Sequence, residues 1–290
     1  MIFAVIGGDM RQAKLADLLQ QDGHTVRVFA FDRTEPEEGV QVCTTVHAAA
    51  EEADCVILPL PVSRREGILN TPLSLQTVTL ESVFGALKPE QAVCAGRIDP
   101  ATWEAAARCG IHLTDYFVRE ELAVLNAVAT AEGAIQLLME ELPETLWGLD
   151  CLVIGYGRIG KLLSHRLRGL GAHVTVSARK WADLAWIRAM GCAAAVTPRL
   201  DGTLDRYGAI VNTVPALILD ENRLRQLRPG CLCLDLASKP GGMDFAAAAR
   251  LGVRAIWALS LPGEVAPVTS GAAIRDTVYH ILEEREQSCG

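Results

Sequence analysis

Short apolar runs alternate with amphipathic stretches along most of the chain. Ile2–Ile6 is apolar and ends in Gly7-Gly8-Asp9; Ala13, Leu15, Leu18 and Leu19 then form a helical stripe, and Thr25–Phe29 is apolar again. Continuous apolar runs separated by a 3.6-residue period predict a strand–helix–strand unit. Further strands are predicted at Cys55–Leu58, Ala92–Ala95 and Ile111–Leu113, with helices near 80–87 and 100–109. Glu120–Glu141 carries one long stripe through Leu122, Leu125, Val128, Ala129, Ile135 and Leu138, and Pro143 and Gly148 end it.

A second series starts at Asp150. Strands are predicted at Cys151–Ile154, His173–Ser177, Ala193–Val196, Ile210–Asn212, Cys231–Leu234 and Val253–Trp257, and helices at Ile159–Leu170 and Trp181–Met190. The last helix, Pro267–Glu286, places Ile274, Val278, Ile281 and Leu282 on one face and is expected to cross back onto the first domain. The fold class that follows is α/β, with two Rossmann-like, doubly wound parallel-sheet domains joined by long hinge helices. The expected boundaries are a first domain at 1–120 completed by the helix at 268–290, an interdomain helix at 121–147, and a second domain at 148–267.

Composition sharpens this picture. Of the 290 residues, 50% are hydrophobic and only 5% aromatic, so the cores are aliphatic, as in parallel sheets covered on both faces. The net charge of −8 and the absence of a basic stripe argue against a nucleic-acid partner. Nine cysteines are scattered without zinc-type spacing, which points to buried, reduced thiols, no metal site and a reducing, cytoplasmic compartment. The N-terminal Met1–Ile6 runs straight into a strand without the basic region of a signal peptide, and no apolar stretch is expected to reach the ~20 residues that span a membrane.

The strongest local chemistry is Gly155-Tyr156-Gly157-Arg158-Ile159-Gly160, set between an apolar strand and an amphipathic helix. The first glycine allows a tight turn, the second leaves room for a pyrophosphate, and the third lets helix and strand pack closely. The helix N-terminus adds N–H groups for the phosphates. The same glycines would also suit a Rossmann domain that has lost its ligand. An NAD site places an acid about 20 residues on, to hold the ribose 2′-hydroxyl. Here Ser177-Ala178-Arg179-Lys180 stands 22 residues after Gly155, with no acid. Ser177, Arg179 and Lys180 would suit a 2′-phosphate, so NADP(H) is favoured over NAD(H); alternatively the two basic residues only flank adenine or a solvated helix start.

Other loops fall where parallel strands end, the edge at which such sheets bind ligands. Thr213-Val214-Pro215, Ala237-Ser238-Lys239 and Pro262 are expected near ribose and nicotinamide, with Lys239 as the cation among them or as an ordinary loop lysine. In the first domain, the Gly7-Gly8 turn with Arg11 could grip a carboxylate, as could Ser63 with Arg64 and Arg65, although at least one of these arginines reads as surface charge. The six histidines form no motif.

Taken in order, several stretches resemble the family of dipicolinate synthase A-subunits from spore-forming bacteria. They are Ala4–Asp9 with Arg11, Ile57-Leu58-Pro59, Thr130–Ile135, Gly155–Gly160, Asn212–Pro215, Asp235–Phe245 and Leu261–Pro267. The architecture is also similar to that of D-2-hydroxyacid dehydrogenases and S-adenosylhomocysteine hydrolases, but their catalytic histidine is not recognisable. The stretch near 66–79 departs from the family pattern, and nothing carries over to it.

The resemblance implies oxidation of dihydrodipicolinate to pyridine-2,6-dicarboxylate with NADP⁺ or NAD⁺. It also implies a flavoprotein-like B-subunit for a partner, and a role in the mother cell during sporulation. A homo-oligomer stays open. For this small dicarboxylate, Gly7, Gly8 and Arg11 are expected to hold one carboxylate, and Ser63 with Arg64 or Lys239 the other. Glu132, on a helix expected to pass the cleft, is the first candidate base and Asp9 the second; Glu132 could equally brace its helix. Closure of the domains would exclude water. The competing readings are a cofactor-binding regulatory or scaffold protein whose partner does the chemistry, and a 2-hydroxyacid or amino-acid dehydrogenase of the same architecture.

Overall fold

A computed structural model describes residues 1–289, with side chains through Gln287. The chain divides into two compact units, Met1–Asn126 together with the segment from Pro262 onward, and Ala127–Leu261.

The first unit is built from β1 (Ile2–Ile6), α1 (Met10–Gln21), β2 (Thr25–Phe29), β3 (Gln41–Val42), α2 (Val46–Ala50), β4 (Cys55–Ile57), β5 (Ser63–Arg65), β6 (Ile68–Leu69), α3 (Leu80–Phe84), β7 (Ala92–Ala95), α4 (Pro100–Arg108) and β8 (Leu113–Asp115). The helix α5 (Glu120–Glu141) spans the boundary between the units. The second unit contains β9 (Asp150–Ile154), α6 (Arg158–Gly169), β10 (His173–Ala178), α7 (Trp181–Ala189), β11 (Ala193–Val196), β12 (Ala209–Asn212), α8 (Glu221–Leu224), β13 (Leu232–Asp235), α9 (Phe245–Leu251) and β14 (Arg254–Trp257). The chain then enters α10 (Leu261–Val265) and α11 (Pro267–Cys289).

Each unit holds a six-stranded sheet, ordered β3-β2-β1-β4-β7-β8 and β11-β10-β9-β12-β13-β14. Every pair within these sheets is parallel. The doubly wound α/β class is therefore realised twice, and in each sheet the order reverses beside its first strand. The central strands are buried on both faces: Ala4, Ile6, Val56 and Val93 join one cluster, Phe3, Val5, Ile57 and Cys94 the other. That is why these strands read as unbroken apolar runs rather than alternating ones.

Helix starts follow from local chemistry. Thr45, Thr79, Asp99, Asp220 and Asp244 each accept a backbone N–H from the first turn of their helix, satisfying a donor that has no partner inside it. The last helix packs on α1, burying Ile274, Val278, Ile281 and Leu282 with Leu15 and Leu19. A Cβ on Gly271 would come within 2.8 Å of the Arg11 carbonyl, so glycine lets the two helices meet closely.

Three expectations change. The strand predicted at Ile111–Leu113 lies at Leu113–Asp115, because Ile111 closes the end of α4 by donating its N–H to Ala106 O. The loop expected at Leu261–Pro267 contains the turn of α10. Finally, α5 is long and apolar enough to cross a membrane, with a mean hydropathy of 1.5 over an 18-residue stretch, half of which is buried inside the fold. Asn126, Thr130 and Glu132 interrupt its apolar run, so the sequence shows no unbroken apolar stretch of spanning length. Its buried side chains, among them Ala131, Ala134 and Leu138, are core.

Candidate functional site

The glycine turn of the second unit lies at the C-terminal end of β9. Gly155 has φ +101°, and its N–H continues the sheet by donating to Ser177 O at 2.9 Å. A side chain there would collide with Thr213, which sits on the turn and donates its hydroxyl to Ile154 O at 2.9 Å. A Cβ on Gly160 would strike the Gly155 carbonyl. A Cβ on Gly157 would meet nothing within 4 Å. The first and third glycines are thus required by packing, whereas the second keeps a space outside the protein clear.

Gly157 is also the N-cap of α6 and supplies no side-chain cap. The N–H groups of this turn are aimed out of the helix, where an anion is favoured. Arg158 is exposed at the first helical position, while Tyr156 and Ile159 pack partly against the core and Lys161 lies over the Tyr156 ring at 5.5 Å. These features fit the pyrophosphate of a dinucleotide. Among the described residues, no group of three His, Cys, Asp or Glu side chains could hold a metal ion.

At the end of β10, Ser177 is fully buried, and its hydroxyl accepts a hydrogen bond from Thr197 Oγ1 at 3.2 Å. Its full burial counts against its expected role as a phosphate donor. Arg179 and Lys180, two and three residues on, are exposed beyond the strand.

The loops after β12 and β13 are held by one buried pair. Asp235 accepts from Asn212 Nδ2 at 2.8 Å, from the Ala237 N–H at 3.0 Å and from the Gly242 N–H at 2.7 Å. Asn212 also donates to Val214 O at 2.9 Å, and Trp257 Nε1 donates to Ala237 O at 2.9 Å. Ala237 is buried, Val214 and Ser238 are half-buried, and Pro215 and Lys239 are exposed. Sequence pattern pointed to the loops but not to Asn212 and Asp235 as their organisers. The signal was present: each is a polar residue closing an otherwise apolar strand. Pro262 is buried in the first unit, where its carbonyl accepts from Ser270 Oγ at 3.1 Å; it does not share a unit with the glycine turn.

In the first unit, the turn after β1 is already saturated. The Gly7 N–H donates to Phe29 O and the Gly8 N–H to Asn70 O, both at 2.9 Å. Asp9 caps α1 and receives Arg11 through Nε at 2.9 Å and Nη2 at 2.8 Å, and Arg11 also donates to Leu60 O. Arg11 is 4% exposed. Gly7, Gly8 and Arg11 therefore spend these groups on the fold rather than on a carboxylate nest, and Asp9 is held in an ion pair with Arg11. Behind them the buried Tyr116 hydroxyl donates to Leu58 O at 2.8 Å, and burial pushes its pKa up.

Glu132 is exposed on α5 and pairs with Arg166 at 3.4 Å in the second unit. That contact fits the helix-bracing alternative. Ser63 donates to Arg65 O at 2.5 Å inside the antiparallel hairpin β5–β6, so its hydroxyl is engaged there. Arg64 and Arg65 both line a cavity with the segment 70–77.

Residues 2–117 match the family profile described as the N-terminal domain of the dipicolinate synthase A-subunit. The dipicolinate synthase A-subunit of Bacillus subtilis (strain 168) is 33% identical over 283 residues, covering 97% of this chain and 95% of that protein. The chain belongs to the dipicolinate synthase A-subunit family. The crystal structure of the A-subunit from Bacillus halodurans superposes with a TM-score of 0.87 at 28% identity, covering 97% of both chains. A transhydrogenase from Sinorhizobium meliloti shares the fold, with a TM-score of 0.73 at 19% identity over 97% of this chain and 94% of the other. The motifs that carried the resemblance, from the Gly7 turn to the 261–267 stretch, thus belong to a family whose fold this chain shares over nearly its whole length.

Proposed function

We propose that the protein oxidises dihydrodipicolinate to pyridine-2,6-dicarboxylate in the cytoplasm of a sporulating cell, acting with a flavoprotein-like B-subunit. The observation that supports this most directly is the clear space at Gly157, beneath a helix N-terminus without a side-chain cap, in a member of this family. A nicotinamide dinucleotide bound there would accept the hydride as the ring becomes aromatic. Gly157 and the first N–H groups of α6 would hold the pyrophosphate. Arg179 and Lys180, with no acid beside them at the end of β10, favour NADP(H) over NAD(H). In the strand order of the second sheet, β10 lies on one side of β9 and β12–β13 on the other. Adenine would occupy the β10 side and nicotinamide the β12–β13 side. Lys239, exposed after β13, then stands at the reacting end. Its ammonium would help steer the anionic substrate toward the hydride acceptor without holding either carboxylate as a fixed partner.

Asp9 has both oxygens held by Arg11 and Glu132 pairs with Arg166 through one, so taking up a proton would weaken either ion pair. That pairing favours a second reading, in which this chain binds cofactor and substrate while the partner supplies the base. The test is to mix the protein with freshly generated dihydrodipicolinate and NADP⁺ or NAD⁺, in the presence or absence of the B-subunit. Nicotinamide reduction and dipicolinate are followed together. Formation by this chain alone supports the first reading. Formation only when the partner is added supports the second. Cofactor binding without dipicolinate in either mixture sinks the synthase function.

A further inference from the structure

The first unit contains a cavity of about 280 Å³, distinct from the glycine turn of the second unit. One wall is the hairpin β5–β6, which contributes Arg64 and Arg65; the other is the segment 70–77. Three strand ends hold that segment in place. Beyond β1, the Gly8 N–H donates to Asn70 O at 2.9 Å. Beyond β2, the Arg33 N–H donates to Leu73 O at 2.9 Å, and Asp32 accepts from Ser74 Oγ at 2.6 Å and from the Leu75 N–H at 3.0 Å. Beyond β4, the Asn70 N–H donates to Val62 O at 2.9 Å and its amide to Pro61 O at 3.1 Å. The cavity therefore stands over the point where the strand order of the first sheet reverses, the usual ligand crevice of such sheets.

Its lining has a definite character. Arg64 and Arg65 are its charged residues, none of the residues lining it is acidic, and Ile68, Leu69 and Leu75 add apolar surface. Asp32, just outside, spends its carboxylate on Ser74 and Leu75. Charge of one sign in a concave wall concentrates anions, and guanidinium forks match carboxylates. The volume lies just below the ~300 Å³ lower bound for drug-sized ligands, which suits a single ring with short substituents. A monocarboxylate would engage only one of the two guanidinium groups.

We propose that this cavity is the seat of a small planar dicarboxylate, with Arg64 and Arg65 each taking one carboxylate and the ring lying against the apolar surface. This rests on the synthase reading for the identity of the ligand, while the cavity supplies its chemical class.

Pyridine-2,6-dicarboxylate titrated calorimetrically into the full-length protein, with NADPH titrated separately, tests the site. Arg64→Gln and Arg65→Gln are each expected to weaken dicarboxylate binding about tenfold, the loss of one charge-assisted pair. NADPH affinity should stay within about twofold, and the calorimetric component of the first unit should keep its wild-type midpoint, which reports that the variants are folded. Pyridine-2-carboxylate is expected to bind wild type at least about tenfold more weakly. Arg108→Gln, on the remote α4, should change nothing. Wild-type dicarboxylate affinity in both arginine variants, or equal binding of the mono- and dicarboxylate, overturns the proposal. Arginine-dependent binding without any turnover of dihydrodipicolinate, whether the B-subunit is present or absent, would support the cavity and sink the reaction. Turnover with an unchanged KM in Arg64→Gln/Arg65→Gln would do the reverse.

Discussion

At the residue scale, the three glycines of the dinucleotide turn serve different ends, and substitution separates them. A side chain on Gly157 enters open space at an ordinary φ of −82°. Gly157→Val is therefore expected to keep the wild-type melting temperature and to weaken NADPH binding at least about tenfold by titration, because the methyl groups occupy the phosphate position. Gly160→Ala puts a methyl into the Gly155 carbonyl. It is expected to lower stability by about 1–3 kcal/mol in denaturant unfolding, as overpacking does. Equal melting temperatures for the two variants would remove the distinction. The proposed cofactor preference also rests on single residues. Arg179→Gln should raise the KM for NADP⁺ about tenfold and leave that for NAD⁺ unchanged, since only the former carries a 2′-phosphate. A parallel rise for both cofactors would assign Arg179 to adenine or to the surface instead.

At the element scale, strand ends are held by buried polar groups that link segments far apart in sequence. Asp235 accepts three N–H bonds, from Asn212, Ala237 and Gly242. Asp235→Asn turns one acceptor into a donor facing donors, which costs about 1–3 kcal/mol. The variant is expected to show that loss in denaturant unfolding and to quench or shift the fluorescence of Trp257, whose indole hydrogen-bonds the same loop and stacks on Phe245 at 5.3 Å. In the first unit, Asp32 anchors the segment 70–77, and its carboxyl is held below the ordinary value by hydrogen bonds from Ser74 and the Leu75 N–H. A carboxyl lowered by folding stabilises above its unfolded pKa and loses that contribution as pH falls through its folded pKa. Asp32→Asn is thus expected to lower the unfolding midpoint at neutral pH, with the gap to wild type closing below about pH 4. A gap that is constant across that range would mean that shape, not charge, holds the segment.

For the molecule as a whole, the chain holds two six-stranded sheets with separate cores in two compact units. Proteins with more than one domain commonly depart from a single two-state transition. Calorimetry is expected to resolve two components, and NADPH should raise only the one that belongs to Ala127–Leu261. At a hundredfold excess over Kd the gain is about 2.7 kcal/mol, and Gly157→Val should abolish it. A single transition that moves as a whole would show that the units unfold together.

The fold class, most of the sheet strands and the dinucleotide turn were legible without coordinates. These rest on local signals: apolar runs of strand length, a 3.6-residue stripe, and glycines whose spacing is set by backbone geometry. The short pieces were not legible, the hairpin β5–β6 and the two-residue β3 among them, because two or three residues carry no period. Which polar groups remain for a ligand emerged only once the chain was folded. Ser177, Gly7, Gly8 and Arg11 looked available in sequence, yet Thr197, Phe29, Asn70, Asp9 and Leu60 occupy them. Several of these partners lie tens of residues away. Arg65 and the unremarked segment 70–77 became cavity walls for the same reason, since hydrogen bonds from three strand ends bring that segment over the first turn. Which donors are spent and which face outward is set by long-range approach, and that information no local pattern carries.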